Sequence, residues 1–303
     1  MSAIEVRDLK KSFATVKALG GLKFNVGEGN LYGLIGPDGA GKSTFMRIAV
    51  CLLMQDEGSV TIMGNDTVKK AADIKRRIGY MPQHFSLYPD LTVHENLVFF
   101  ANLFGIGKKE RTRHIEKLLD FSRLGPFLSR RAENLSGGMK QKLALSCALV
   151  HTPDVLFLDE PTTGVDPVSR REFWKILAEI KNGGTTILVS TPYMDEAEKC
   201  DNVGFIMNGE LILEDRPDRL PDRFSAQILD VRAPNIVKRS RSLVFPDIVT
   251  GMQTFGDRIH LTVADANEAI PDIEAFLEKN GIENVLINRT APSVEDVFME
   301  RTQ

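Results

Sequence analysis

Short apolar runs alternate with helical patterns through the first two thirds of the chain. Leu31–Ile35 and Val155–Leu158 are continuously apolar, and Thr185–Ser190 is a third run of the same kind. Uninterrupted apolar runs of this length are typical of strands that are buried on both faces. The periodicity predicts helices at Lys42–Met54 and Phe173–Ile180. Alternating buried strands and helices predict an α/β domain with a mostly parallel sheet.

The stretch from Leu91 to Val150 follows a different pattern. Strand signals disappear there and helical periodicity dominates. Met139–Val150 is the clearest helix in it, with Ser136 as a suitable residue to cap its start. We therefore predict a helical subdomain, at about residues 91–150, inserted into the sheet domain.

The pattern changes again after Arg216–Arg223, a segment with two prolines and several charges that we interpret as a linker. It divides the chain into predicted domains at residues 1–220 and 221–303. The second is predicted to be a small α+β domain. Its predicted strands are Ala226–Val231 and Ile259–Val263, and its predicted helices are Ala266–Asn280, which Gly281 ends, and Ser293–Arg301.

The composition is that of a folded chain. Apolar residues make up 43% and charged residues 26% of the 303 residues, which supports packed cores and argues against extensive disorder. The 38 basic and 41 acidic residues give a net charge of -3. That near-balance argues against a general nucleic-acid binder. The three cysteines form no C-x-x-C pair, which favours a reducing compartment such as the cytosol.

The sequence predicts neither a membrane span nor a leader peptide. A spanning helix needs roughly 20 apolar residues, and the best stretch, Leu97–Ile106, is short and contains Asn102. Glu5, Arg7 and Asp8 stand where a signal peptide needs apolar residues. We expect a cytosolic protein without a membrane segment of its own.

A glycine-rich loop between the first predicted strand and helix fits the pattern G-x-x-x-x-G-K-[ST]. Backbone N–H groups of such a loop point at phosphate oxygens, and the helix N-terminus adds partial positive charge. In this pattern the lysine reaches the β- and γ-phosphates and the hydroxyl ligates Mg²⁺. The predicted nucleotide contacts are Gly36, Pro37, Asp38, Gly39, Ala40, Gly41, Lys42, Ser43 and Thr44.

Two acids end the apolar run that begins at Val155. Such a strand can deliver Asp159 to a Mg²⁺ ion opposite Ser43, and Glu160 then lies where it can polarise the attacking water. The alternative is a strand that merely ends in solvated acids. The upstream phosphate loop favours the catalytic interpretation.

A second anion site is predicted at Ser136, Gly137 and Gly138. Two glycines at a helix start leave N–H groups free beside the positive end of the helix dipole. One nucleotide has little need of two phosphate sites in one chain, so the motif would serve the nucleotide of another subunit. The alternative is an ordinary capped helix.

These motifs, in this order, resemble the ATP-binding cassette (ABC) family, specifically the nucleotide-binding subunit of an ABC transporter, over about residues 3–220. The resemblance implies a P-loop NTPase cassette with a mostly parallel sheet core, an antiparallel β subdomain and a helical subdomain. It implies ATP and Mg²⁺ as ligands. Phe13 would stack on adenine, unless it simply packs in the core. Gln83 would link Mg²⁺ and water to the membrane-domain contact, unless it is a surface amide. Gly164–Asp166 matches the D-loop of the dimer interface.

The tail Pro292–Phe298 is similar to that of daunorubicin-resistance-type export subunits, which pair with ABC-2-type membrane proteins. It would also suit an amphipathic helix that closes the small domain, and both interpretations can hold. The resemblance implies an ATP-hydrolysing subunit that powers an exporter of drugs or hydrophobic compounds. It would lie peripherally on the cytoplasmic face of the membrane, bound to permease subunits and to a second cassette.

Two positions depart from the family pattern. Pro192 occupies the position where the family usually has a histidine that contacts the γ-phosphate, and proline has no side-chain donor. Thr191 is adjacent, but it points the other way if the strand continues. Asp38 replaces the commoner asparagine and adds a negative charge beside a triphosphate. We therefore expect this site to hydrolyse ATP more slowly than is usual in the family. We also hypothesise that the chain is one half of an asymmetric pair of cassettes, as in a tandem exporter.

Two other functions remain open. A soluble ABC protein that acts on DNA would need long coiled-coil arms, but only roughly 50 residues without sustained heptads separate Gln83 from Ser136. Translation-type members carry two cassettes, and this chain has one. A non-hydrolytic regulatory nucleotide sensor is favoured only by Pro192.

Overall fold

The computed structural model describes residues 1–84 and 86–302 and divides into two compact units at residues 216 and 217. This division lies within the predicted linker, four residues before the predicted domain boundary. The segment itself forms two short 3₁₀ turns, Pro217–Arg219 and Pro221–Arg223.

The first unit is built on ten strands and six helices among its described residues. The strands are β1 (Ser2–Phe13), β2 (Val16–Gly27), β3 (Leu31–Ile35), β4 (Glu57–Ile62), β5 (Asn65–Asp66), β6 (Ile78–Met81), β7 (Val155–Asp159), β8 (Thr186–Thr191), β9 (Asn202–Met207) and β10 (Glu210–Asp215). The helices are α1 (Lys42–Ala49), α2 (Ala71–Lys75), α3 (Val93–Leu103), α4 (Lys108–Ser122), α5 (Gly137–Leu149) and α6 (Pro167–Asn182).

The central sheet has the order β10-β9-β3-β8-β7-β6. Five of its strands run parallel, and only β10 pairs antiparallel with its neighbour. Every residue of β3, β7 and β8 is buried, which is why these strands are continuous apolar runs in the sequence. The prediction of an α/β fold with a mostly parallel sheet is confirmed.

A second, antiparallel sheet has the order β2-β1-β4-β5. Its apolar side chains share one core with α1 and the central sheet. Phe24 of β2 lies 5.1 Å from the ring of Tyr32 on β3 and 5.2 Å from the ring of Phe45 on α1. Phe24 therefore joins the antiparallel sheet to both α1 and the central sheet. Strands β1 and β2 were not predicted from an alternation of apolar residues, because repeated register shifts interrupt their pairing.

Two predicted helices have different ends in the structure. The helix predicted at Lys42–Met54 ends at Ala49, because Cys51 adopts a left-handed conformation and the N–H of Leu52 returns to the carbonyl of Arg47. Helix α6 begins earlier than predicted, at Pro167, because the carboxylate of Asp166 caps it.

The segment predicted to be helical contains α3, α4 and α5, with two short 3₁₀ turns and an isolated bridge as its other regular structure in the described chain. Thr92 begins α3 through a capping box with Glu95. Ser136 begins α5 by accepting a hydrogen bond from the N–H of Met139 at 3.4 Å. The helical subdomain of the predicted fold class is confirmed.

The second unit is an antiparallel sheet with helices. Its strands are β11 (Gln227–Arg232), β12 (Val249–Phe255), β13 (Arg258–Val263) and β14 (Leu286–Thr290), in the order β12-β13-β11-β14. Its helices are α7 (Ile236–Ser240), α8 (Ala266–Lys279) and α9 (Val294–Thr302). The sequence predicted β11, β13, α8 and α9 but missed the edge strands β12 and β14, whose side chains are mostly exposed or half-buried.

Helix α9 is held by a buried pair of polar residues in this unit. His260 Nδ1 on β13 lies 3.2 Å from Asp296 Oδ2, and both side chains are buried. Asp296 also accepts hydrogen bonds from the N–H and hydroxyl of Ser293, each at 2.7 Å. Val297 is fully buried beside this pair. The tail motif therefore closes the small domain, as one of its two interpretations expected.

None of the helices in the described chain is both long enough and apolar enough to cross a membrane.

Candidate functional site

The phosphate loop lies between β3 and α1, at the edge of the central sheet where its parallel strands end. At two positions of the loop only glycine fits, because a side chain would collide with neighbouring backbone. A Cβ at Gly36 would lie 2.2 Å from the carbonyl oxygen of Ile206, and one at Gly41 would lie 2.5 Å from that of Ala18. Gly41 also has a φ of 106°, which side chains disfavour. The loop is thus packed tightly against β9 and β2.

The lysine of the loop is buried, with 3% of its surface exposed. Lys42 Nζ donates to the carbonyl oxygens of Gly36 at 2.7 Å and Pro37 at 2.9 Å. It also lies 3.2 Å from Glu160 Oε1. Its positive charge is therefore held between the phosphate loop and the second of the two predicted acids.

Ser43 and Asp159 are 116 positions apart in the sequence but in contact in the structure. Ser43 Oγ donates to Asp159 Oδ1 at 3.1 Å, and Ser190 Oγ donates to the same oxygen at 2.7 Å. Burial raises the pKa of Asp159, while the hydrogen bonds from Ser190 and Ser43 oppose that rise. A hydroxyl and a carboxylate at one point are the hard oxygen donors that Mg²⁺ prefers, with substrate phosphates completing its shell. These residues fit a magnesium ion.

Hydrogen bonds fix both the backbone N–H and the carboxylate of Glu160. Its N–H donates to the carbonyl of Ser190 at 3.1 Å and to the hydroxyl of Ser190 at 3.0 Å. Gln83 Nε2 donates to Glu160 Oε2 at 2.9 Å. Glu160 has a φ of 49°, an unusual conformation for a residue with a side chain, and backbone strain of this kind is often found at functional sites. The structure thus brings Lys42, Gln83 and Glu160 into one cluster.

The other predicted contacts of the loop lie at its crest and at the start of α1. Pro37, Asp38 and Gly39 are exposed, while Ala40 is buried and Thr44 is half-buried. The carboxylate of Asp38 therefore lies at the surface, where water screens its charge.

The predicted second anion site does not lie against the phosphate loop of its own chain. No hydrogen bond joins Ser136, Gly137 or Gly138 to that loop among the described residues. Gly138 instead packs on α6, where a Cβ would lie 2.5 Å from Ser169 Oγ. A Cβ at Gly137 would meet nothing within 4 Å. The helix start is therefore open to the surface at Ser136 and Gly137, which are exposed, and covered by α6 at Gly138.

Phe13 lies at the end of β1 with 47% of its surface exposed, so it is not a core residue. Lys11 Nζ lies 5.6 Å from the centre of its ring. In the predicted D-loop, Asp166 accepts hydrogen bonds from the N–H groups of Val168 and Ser169 and so caps α6.

Pro192 directly follows β8 and is half-buried. Thr191 does not replace the missing donor of that position. Its hydroxyl donates to Glu196 Oε2 at 2.5 Å, and Thr191 Oγ1 accepts a hydrogen bond from the N–H of Tyr193 at 3.1 Å. The Thr191 side chain is therefore committed to a buried network that is separate from the carboxylates of Asp159 and Glu160.

Sequence reasoning missed Ser190 and Glu196. Ser190 contacts both predicted acids only because β7 and β8 are neighbours, with Asp159 directly opposite Ser190. Glu196 lies in a stretch of mostly charged residues, Asp195–Lys199, which reads as an exposed turn, yet its side chain is fully buried. Its neighbour Ala197, which is also fully buried, was the only hint in the sequence of an inward-facing turn.

Comparison with known proteins gives consistent similarities. A family profile described as "ABC transporter" matches residues 19–163. The chain is 40% identical to the probable multidrug ABC transporter ATP-binding protein YbhF of Escherichia coli, over 99% of this chain and 52% of that protein. It is 34% identical to the Nod factor export ATP-binding protein I of Sinorhizobium fredii and 33% identical to the daunorubicin resistance ATP-binding protein DrrA3 of Streptomyces coeruleorubidus. These matches cover 99% of this chain and 86% and 96% of the two relatives.

Solved structures are similar as well. An ATP-binding subunit of an ABC transporter matches 73% of this chain and 93% of its own length, with a TM-score of 0.67 and 30% identity. A dimeric ATP-binding cassette with bound ADP and Pi, in a post-hydrolysis state, matches 70% of this chain and 98% of its own length. Its TM-score is 0.64 and its identity 27%. The chain spans about half the length of the E. coli relative and nearly all of the Nod factor and daunorubicin relatives.

Proposed function

The chain belongs to the ABC transporter family of ATP-binding proteins, and on that basis we propose that it binds and hydrolyses ATP to power an exporter. The observation that carries this proposal is the cluster at the ends of β3, β7 and β8. There Lys42 lies 3.2 Å from Glu160, Gln83 lies 2.9 Å from Glu160, and Ser43 lies 3.1 Å from Asp159.

Each residue of the cluster has a proposed part in the reaction. The N–H groups of the phosphate loop bind the phosphates, and Lys42 moves from its carbonyl partners to the negative β- and γ-phosphates. Ser43, Asp159 and Gln83 would hold Mg²⁺, which when bound neutralises charge that develops on the phosphates. Glu160 accepts a proton from the attacking water, and Gln83 orients both that water and the carboxylate. Phe13 offers an exposed ring for adenine to stack on.

A second cassette completes the proposed site. Ser136, Gly137 and Gly138 present an open helix start away from their own phosphate loop, so they are free to bind the γ-phosphate of a nucleotide held by a partner. Gly164–Asp166 would lie at the same interface. ATP binding would close the two cassettes and hydrolysis would reopen them.

A groove in the first unit supports a membrane partner. It has a volume of about 270 Å³ and is lined by residues of β6, α3 and α5, including Tyr80, Phe100 and Cys147. Leu52 lines the groove with 61% of its surface exposed, and Leu103, which precedes the lining residue Phe104 in the chain, is 66% exposed. Exposed apolar surface of this kind is characteristic of an interaction site. We propose that a cytosolic segment of an ABC-2-type permease docks there, which would hold the chain on the cytoplasmic face of the membrane.

Pro192 leaves the proposed site without a side-chain donor at the end of β8, so we propose that turnover is weakened rather than absent, since Gln83 and Glu160 are in place. A partner cassette with a complete site would then supply most of the hydrolysis. The names of the relatives, which include multidrug, Nod factor export and daunorubicin resistance proteins, favour export of drugs or hydrophobic compounds. The alternatives are a non-hydrolytic regulatory subunit, which Pro192 favours, and a soluble ABC protein not coupled to transport.

Basal ATP hydrolysis, measured on the purified chain with and without the membrane proteins encoded in neighbouring reading frames, tests this proposal. We expect Mg²⁺-dependent hydrolysis that rises when the membrane partner is present. ATP binding without hydrolysis in either preparation would favour the regulatory alternative. Hydrolysis that no membrane partner alters would favour a soluble protein.

A further inference from the structure

We propose that Glu196 is a positioning residue for this hydrolysis, which ties the turn after Glu160 to the end of β8. This inference rests on the proposed function, because it concerns the rate of the same reaction. Glu196 touches neither of the two acids and lies outside every motif discussed above.

Glu196 is a fully buried carboxylate with four donors. Its Oε1 accepts hydrogen bonds from Thr162 Oγ1 at 2.8 Å, Arg170 Nε at 2.7 Å and Trp174 Nε1 at 2.8 Å. Its Oε2 accepts from Thr191 Oγ1 at 2.5 Å. Three donors on one oxygen, together with the charge of Arg170, compensate the cost of burying the carboxylate. Such a fully paired group holds its partners in a single arrangement.

Two of the four donors lie on segments that carry the catalytic groups. Thr162 stands two residues after Glu160, in the turn where the N–H of Thr163 returns to the carbonyl of Glu160 at 3.2 Å. Thr191 ends β8, and its carbonyl accepts a hydrogen bond from the N–H of Gly36 at 3.3 Å. Glu196 therefore links the turn of the proposed base to the strand end that holds the phosphate loop.

The other two donors anchor this link to a rigid element. Arg170 and Trp174 both lie on α6, one turn apart. Arg170 also donates to Asp195 at 2.5 Å and lies over the ring of Tyr193, so it fixes the turn after β8 as well. The left-handed conformation of Glu160 persists only if its surroundings hold it. We infer that Glu196 provides part of that restraint.

The test removes single donors rather than the carboxylate, because loss of Glu196 would leave the buried donors Thr162, Trp174 and Thr191 without their acceptor. In the full chain, or the complex in which it is active, Thr162→Val and Thr191→Val each delete one hydroxyl and keep the side-chain shape. We expect the kcat for ATP hydrolysis to fall by about tenfold in each, because small misplacements of catalytic groups slow the reaction strongly. The Kd of a fluorescent ATP analogue should stay within about twofold of wild type.

Thr162→Ser and Thr191→Ser restore the hydroxyl and should restore kcat. The double variant Thr162→Val/Thr191→Val should lose less than the product of the two single losses, because both act through one carboxylate. Thr186→Val is the matched control. Thr186 is a buried threonine at the far end of β8, and its hydroxyl accepts a hydrogen bond from the N–H of Gly29 at 2.9 Å. It should lower thermal stability without lowering kcat.

Unchanged kcat in the valine variants of an active wild type would overturn this inference alone. A fall in kcat that Thr186→Val reproduces, or that serine fails to restore, would also overturn it, because the effect would then be one of general stability. A wild-type chain that binds ATP but never hydrolyses it would instead contradict the proposed function, and this inference with it.

Discussion

At the scale of single residues, the site depends on side chains that the strand neighbours bring together. Ser190 donates to Asp159 and accepts from the N–H of Glu160, so one hydroxyl sets the relative position of both acids. Pro192, two residues later, contributes no donor. The same strand end thus organises the acids and, under the proposed function, offers no side-chain donor to the γ-phosphate.

Pro192→His tests the importance of that missing contact. We expect the rate of ATP hydrolysis to rise severalfold, because an imidazole would add a donor beside the γ-phosphate. Steady-state hydrolysis by the full chain measures it. Pro246→His, at a half-buried proline of the second unit, is the control and should leave the rate unchanged. An unchanged or lower rate in Pro192→His would show that Pro192 does not limit turnover.

The residues of the site differ in whether a short stretch of sequence is enough to identify them. The phosphate loop Gly36–Ser43 is contiguous, so its pattern alone indicates its chemistry. Ser190 and Glu196 act through neighbours 30 or more positions away, Asp159 and Thr162, which no local pattern reveals. Gln83 was identified by family resemblance and not by the pattern of the chain, and its hydrogen bond to Glu160 was not predicted.

At the scale of elements, the strands that the sequence predicted are the more deeply buried ones. Strands β3, β7 and β8 are buried on both faces, so their apolar runs are continuous and were found. Strands β1 and β2 are longer, but bulges shift their pairing and break the alternation on which prediction depends. The edge strands β12 and β14 bury too few side chains to produce an apolar pattern in the sequence. Burial on both faces, rather than strand length, determined what the sequence revealed.

Helix α9 gives a prediction at this scale. Burial opposes ionisation of Asp296, but hydrogen bonds from His260 and Ser293 outweigh it and lower its pKa below the ordinary 3.8. An acid whose folded pKa is lowered stabilises the fold above its unfolded pKa, and that contribution disappears as the pH falls through the folded value. Asp296→Asn should therefore destabilise the docking of α9 by about 1.5–3 kcal/mol near pH 7.

Hydrogen–deuterium exchange of the α9 amides in the full chain measures this change. We expect protection to fall by about tenfold or more at pH 7, and the difference from wild type to shrink at about pH 3.5. Asp272→Asn, at an exposed position on α8, is the control and should leave protection unchanged. Equal protection of α9 in wild type and Asp296→Asn at pH 7 would contradict the anchoring role of Asp296.

At the scale of the whole molecule, the chain is proposed to work with partners. The open helix start at Gly137 and the apolar groove lined by Phe100 and Phe104 are both surfaces of the first unit that bind nothing within the described chain. The E. coli relative is about twice as long as the matched region, whereas the Nod factor and daunorubicin relatives are close to this chain in length.

Leu103→Glu tests the proposed permease contact. A charge in place of an exposed leucine should reduce the amount of chain that copurifies with the membrane partner by about tenfold, since central apolar contacts dominate interface energies. ATP affinity should not change. Val244→Glu places the same charge at an 89% exposed position of the second unit and serves as the control. Equal copurification of Leu103→Glu and wild type would place the permease contact elsewhere.

The most direct test of the account compares ATP hydrolysis by the wild-type chain and Glu160→Gln, with the ATP Kd measured for both. Glutamine keeps the shape of Glu160 but cannot accept the proton of the attacking water. We predict that single-turnover hydrolysis falls by at least about 100-fold while the Kd changes by less than about threefold. Hydrolysis by Glu160→Gln at the wild-type rate would contradict the assignment of Glu160 as the base, and with it the proposed mechanism.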